Sequence, residues 1–166
     1  MASASHDKNS QPPASSLMVP YNDSYQTCER TVAQLRLYSG EIRPAEVTGL
    51  LGIEPTESTE AGGLIISKET GRPRLTKYNA WFLSSENIVN SKDLRRHLDW
   101  LLDRLEACSE ALHELQTRDG VQMQISCIWW TAHGGGGPVL WPSQMERMAH
   151  LNLECGFEFA DYSGDE

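Results

Sequence analysis

Leu94, Leu98, Leu101, Leu105, Cys108, Leu112 and Leu115 recur at alternating steps of four and three residues. That spacing lines them along one stripe of an α-helix and commits the stripe to a buried surface. Ser91 stands where an N-cap is needed, Gly120 stands where the helix must stop, and a break is expected near Cys108 and Ser109. The repeat is too short for a sustained coiled coil, so the stripe is expected to pack on the domain's own sheet.

The strands of that sheet lie on both sides of the helix. From Thr31 to Tyr38, Ala33, Leu35 and Leu37 alternate with Val32, Gln34, Arg36 and Tyr38, the period of a half-buried strand. Pro44 fits the first turn of a short helix carrying Val47, Leu50 and Leu51, which Gly52 ends. Residues 54–77 mix turn residues with the brief apolar run Leu64 to Ile66 and read as a long loop carrying one edge strand. A loop of that length marks a functional or mobile element.

Tyr78 to Ser85 is a second strand with Trp81 and Leu83 on one face. Val121 to Thr131 is a third, with Met123, Ile125, Cys127 and Trp129 opposite Gln122, Gln124, Ser126, Ile128 and Trp130. Ser143 is placed to cap a helix carrying Met145, Met148 and Leu151. Leu153, Cys155, Phe157 and Phe159 then form the core face of a last strand. Ile42-Arg43-Pro44 and Leu140-Trp141-Pro142 occupy matching points, which suggests two β-α-β units joined by the long helix.

The expected fold class is therefore α+β: a single, mainly antiparallel sheet of four to five strands with helices on one face, in the order β-α-β-α-β-α-β. The other face is wet, carrying Gln34, Arg36, Gln122, Gln124, Ser126, Glu154 and Glu158. Residues 1–26, rich in Ser, Ala, Pro and Asn, read as a disordered arm whose later part, Leu17 to Tyr25, is apolar enough to dock loosely. Residues 27–162 form one α+β domain, and 163–166 an acidic tail.

A formal net charge of −9 argues against binding nucleic acid backbones and favours a basic partner. The four cysteines include no Cys-x-x-Cys, and buried free thiols are the simplest reading. No apolar run is long enough for a membrane span and no signal peptide is recognisable, so no membrane partner is expected and the cytoplasm is the expected compartment.

Chemistry is sought first in Met123 to Pro142, where a strand runs into glycines rimmed by tryptophans. Gly134 to Gly137 could form an anion nest, but Pro138 to Pro142 intervene before the helix and no Lys follows, so a turn is preferred. Cys127, His133, His150 and Cys155 match no zinc spacing, and neither a metal nor a cofactor is expected. No Gly-x-Ser-x-Gly is present and no catalytic residue is assigned. Trp81, Trp100 and Trp129 are assigned to packing. Trp130 and Trp141 lie on the open face and beside the glycines, where the protein's own arm or a partner must cover them.

The order of residues also resembles a known family. Leu35-Arg36-Leu37-Tyr38 is followed by Glu46-Val47-Thr48-Gly49-Leu50-Leu51-Gly52-Ile53-Glu54-Pro55-Thr56, by Trp81 and by His97-Leu98-Asp99-Trp100-Leu101-Leu102. Ile125-Ser126-Cys127, Gly136-Gly137-Pro138 and a closing apolar strand complete the pattern. Over roughly residues 30 to 162 this resembles the bacterial domain-of-unknown-function family numbered 4279. The resemblance implies no catalytic residues; some members look like immunity proteins encoded beside polymorphic toxins.

Together these observations lead to the expectation of a non-enzymatic interaction protein, most concretely an immunity protein that binds and neutralises a basic toxin domain. The residues expected to meet the partner are Trp130, Trp141, His133, Gly135, Gly136, Glu154, Glu158 and Asp161. The alternative is a small-ligand-binding regulatory domain using the glycine-rich loop.

Overall fold

The computed structural model of the protein describes residues 19–161. Of the arm read from the sequence over residues 1–26, residues 1–18 lie outside the described residues, as does the acidic tail read over 163–166. The fold is α+β, built on a mainly antiparallel five-stranded sheet, with four helices among the described residues.

Strand β1 (Cys28–Ser39) lies at the centre. It pairs antiparallel with β5 (Asn79–Ser84) on one side and β6 (Gln122–Thr131) on the other. Beyond β5 lies the short β2 (Glu57–Thr59), antiparallel to it, and beyond β6 lies β7 (Cys155–Asp161), parallel to it. The parallel pair needs a crossover, which α4 (Pro142–His150) supplies.

The helices are α1 (Pro44–Leu51), α2 (Leu94–Glu106), α3 (Ser109–Gln116) and α4. The leucines of the stripe read from the sequence are buried, with Cys108 half-buried beside them, and Ala33, Leu35, Leu37, Trp81, Leu83, Ile125 and Cys127 of the strands join them in one core cluster. Side chains alternate across a strand. The other row therefore holds Gln34, Arg36 and Tyr38 of β1, Phe82 of β5, and Gln122, Gln124 and Ser126 of β6.

Five expectations need correction. The order is not β-α-β-α-β-α-β, because the stretch read as a loop with one edge strand contains three strands: β2, β3 (Leu64–Ile66) and β4 (Pro73–Leu75). β3 and β4 make a separate antiparallel hairpin. Each is three residues long, too short for a periodic signal.

Asp93, not Ser91, caps α2, because its carboxylate accepts the Arg95 N–H. Ser91 stands one step back, its hydroxyl accepting the Asp93 N–H. α4 starts before Ser143, with extended Trp141 at the cap position and Gln144 Oε1 accepting the Trp141 N–H.

The two proline-led units also differ in pairing. β6 and β7 are adjacent and parallel, whereas β1 and β2 are separated by β5. Finally, Phe157 and Phe159 are exposed instead of buried. β7 is the outermost strand, and the core cluster reaches it only at Cys155.

Candidate functional site

The stretch that drew attention in the sequence divides between two environments. Trp141 lies beneath residues 19–25. Its indole N–H donates to the Val19 carbonyl at 2.9 Å, and its ring centroid is 4.5 Å from that of Tyr21. The Arg95 guanidinium lies 4.7 Å from the same ring.

Arg95 is fully buried and completely committed. Its Nε and Nη2 donate to the Asp93 carboxylate, and its two Nη atoms donate to the carbonyls of Val19 and Pro20. The Tyr21 hydroxyl donates to Asp99, and burial together with that carboxylate pushes the phenol up to about 12. The end of the arm is thus a fitted part of the domain, and Trp141 is covered by the protein's own chain.

Trp130 sits elsewhere, on the open row of β6, with the Arg30 guanidinium 3.8 Å above its ring and Glu86 holding that guanidinium at 3.1 Å. His133, Gly135 and Gly136 are exposed in the turn after β6. Gly136 has φ +79°, and a Cβ there would stand 2.7 Å from Cβ of Thr27. The turn is therefore pressed against the start of β1.

Glu154, Glu158 and Asp161 do not act as one acidic group. Glu158 accepts from Arg36 at 2.6 Å and from Ser126 Oγ at 2.9 Å. Burial pulls its carboxyl up, and these two donors more than offset that, leaving it below the usual range. Asp161 accepts from Thr131 at 3.5 Å, and Glu154 lies exposed beside Arg36 and Gln124.

Two arrangements resemble chemistry and are structural in their geometry. Ser85 Oγ accepts the Ala33 N–H and lies 2.7 Å from His97 Nδ1, while His97 Nε2 lies 2.8 Å from the Ser91 carbonyl. The carbonyl can only accept, so Nε2 carries the proton and Nδ1 takes the serine's. Both side chains are buried with these positions filled. Cys127 and Cys155 lie 3.6 Å apart across β6 and β7. Among the described residues no group of three or more His, Cys, Asp or Glu is placed to hold a metal.

An exposed apolar surface lies on the stretch that the sequence reads as a long loop carrying one edge strand. On the β3–β4 hairpin, Leu64 and Ile66 are each 69% exposed and Leu75 is 67% exposed. Leu64 pairs with Leu75 and Ile66 with Pro73, so these four share one face. The other face, with Ile65 and Arg74, turns toward the open side of the main sheet. A groove of about 570 Å³ runs between them, lined by Tyr38, Ile65, Leu75, Tyr78, Ala80 and Phe82 among others. Tyr38 and Phe82 meet edge-on at 5.3 Å on its floor. The signal available in the sequence was the Leu64-Ile65-Ile66 run facing Pro73-Arg74-Leu75 across Gly71, which has φ +66°.

No helix among the described residues is long and apolar enough to cross a membrane. A family model described as "Domain of unknown function (DUF4279)" matches residues 27–162. No curated protein and no solved structure gives a significant match.

Proposed function

The chain belongs to the DUF4279 family of domains of unknown function, and on that premise, which carries no activity, we propose that it is a non-enzymatic interaction protein. Its most concrete form is an immunity protein that binds and neutralises a bacterial toxin in the cytoplasm, where its four free cysteines would stay reduced. The observation that carries this reading is the exposed apolar surface of the β3–β4 hairpin, with Leu64 and Ile66 on its outward row and Tyr38, Tyr78 and Phe82 in the groove under its other row.

Clustered exposed aliphatic and aromatic side chains are costly in water and are what a protein interface covers. The proposed partner surface is separate from Trp141, which the protein's own residues 19–25 cover. Trp130 remains as an aromatic flank of the open face. Co-expression with the toxin-bearing product of a neighbouring gene is expected to restore growth, and Tyr38→Asp is expected to abolish the rescue. Absence of both rescue and co-purification refutes the reading.

A second reading, a small-ligand regulatory domain, is favoured by the groove beneath the hairpin, whose volume and aromatic floor suit a small molecule. The glycine turn no longer supports it. A thermal-shift screen of amphipathic small molecules tests it, and a uniform lack of shift counts against it.

A further inference from the structure

Lys68, Arg72, Arg74 and Lys77 all lie on the hairpin or at its base, they are all exposed, and none of their side chains meets a carboxylate or an aromatic ring. The remaining described cations are differently placed. Arg30, Arg36, Lys92, Arg95, Arg96, Arg118 and Arg147 each have a carboxylate partner, and Arg104 lies over the Trp100 ring. Only Arg43 among the described residues shares the unpaired state. In a chain of net charge −9 the hairpin thus keeps a surplus of positive charge, its four cations outnumbering Glu69 in its turn and Glu60 at its base. The same element carries the apolar face of Leu64, Ile66, Pro73 and Leu75.

Resting on the interaction reading above, we infer that the hairpin docks an acidic protein segment bearing apolar side chains. Apolar side chains of that segment cover Leu64, Ile66 and Leu75, and its carboxylates meet Lys68, Arg72 and Lys77 at the two ends of the hairpin, while Arg74 on the opposite row adds to the local charge. Charge complementarity selects the partner's sign at this point of contact, although the whole molecule's charge favours a basic one. The same local charge steers the encounter, and cover of the aliphatic face slows release. A polyphosphate chain fits less well, because it offers nothing apolar to Leu64, Ile66 and Leu75. The hairpin is held for this task by its base. The Gly62 N–H donates to the Thr76 carbonyl, the Thr76 N–H donates to the Gly63 carbonyl, and Asn79 Oδ1 accepts the Ala61 N–H.

The test uses the full chain and three fluorescent probes followed by anisotropy: a short peptide of leucines spaced by paired glutamates, a polyglutamate of equal charge, and an oligothymidylate. The leucine–glutamate peptide is expected to bind most tightly and to weaken as salt rises. The double variant R72E/R74E is expected to lower its affinity by about tenfold or more. Leu64→Ser/Ile66→Ser is expected to reduce its affinity to that of polyglutamate. Failure of this peptide to bind, equal binding by R72E/R74E, or preference for the oligothymidylate overturns the inference. If a toxin partner is captured and rescue is unaffected by R72E/R74E, the interaction reading stands and the acidic-segment inference fails.

Discussion

The indole N–H of Trp141 donates to the carbonyl of Val19 across 122 positions of sequence. Val19 also receives the Arg95 guanidinium, so one carbonyl ties the start of the described chain to both α2 and α4. Its position explains why a tryptophan beside a glycine turn is not available to a partner, and it identifies what holds this end of the molecule together.

Removing the cation should be severe. Arg95→Met leaves Asp93 buried without its partner and leaves the Val19 and Pro20 carbonyls without donors. A loss of about 3–5 kcal/mol in urea denaturation is expected, as for other broken buried pairs. Hydrogen exchange over residues 19–26 should rise in the same variant.

Stability should depend on pH through His97. Burial holds its imidazole below the usual histidine range, against the opposing pull of the Ser91 carbonyl and Asp93. The folded state therefore binds fewer protons than the unfolded one once pH falls below about 6.5. The contribution is complete above that pH and is lost as pH drops toward the depressed folded value. Melting temperature measured against pH should show this acid-side fall, and His97→Gln should flatten it whatever its absolute stability.

The glycine turn separates two substitutions that look alike in sequence. Gly136→Ala places a Cβ against the β-branched Thr27 at φ +79° and should cost about 1–3 kcal/mol. Gly135→Ala meets nothing nearby and should change stability by less than about 0.5 kcal/mol. Equal thermal shifts for the two variants would contradict the packing described.

Hairpin substitutions should uncouple binding from folding. Leu64→Ser and Ile66→Ser remove side chains that are mostly in water already, so denaturation midpoints should stay within about 0.5 kcal/mol of the parent. Partner capture should nonetheless be lost.

The paired thiols should react in a fixed order. The bond from Cys127 holds the Cys155 thiol below its usual value. The same contact and burial push the Cys127 thiol well up. Cys155 is also the more exposed of the two. Timed alkylation read by peptide mass spectrometry should therefore label Cys155 first.

Much of the scaffold was legible because periodicity reports burial directly. Leu94 to Leu115 announced the helices, and Ala33, Leu35 and Leu37 announced the central strand. Gly52 and the two prolines marked helix ends through backbone geometry that sequence encodes residue by residue. Phe157 and Phe159 were misread because alternation identifies a face but says nothing about whether a strand lies at an edge. Glu158 is held by Arg36, a pairing that periodicity could not show because the two residues are 122 positions apart. The hairpin was read only in part, as one edge strand at Leu64 to Ile66 in a long loop, for a third reason: three-residue strands carry no usable period, and the unpaired state of its four cations appears only when every other cation's partner is known.

The strand order β2-β5-β1-β6-β7 also fixes a sequence of events in time. β1 is made before both of its neighbours, and its second neighbour, β6, ends only at Thr131. During synthesis Leu35 and Leu37 must wait for strands far along the chain before either edge of β1 is closed. Such non-local pairing slows folding relative to helical domains of similar size, because loop closure is lost before contacts are gained. A newly made chain therefore passes through an interval in which its central strand is its least protected one.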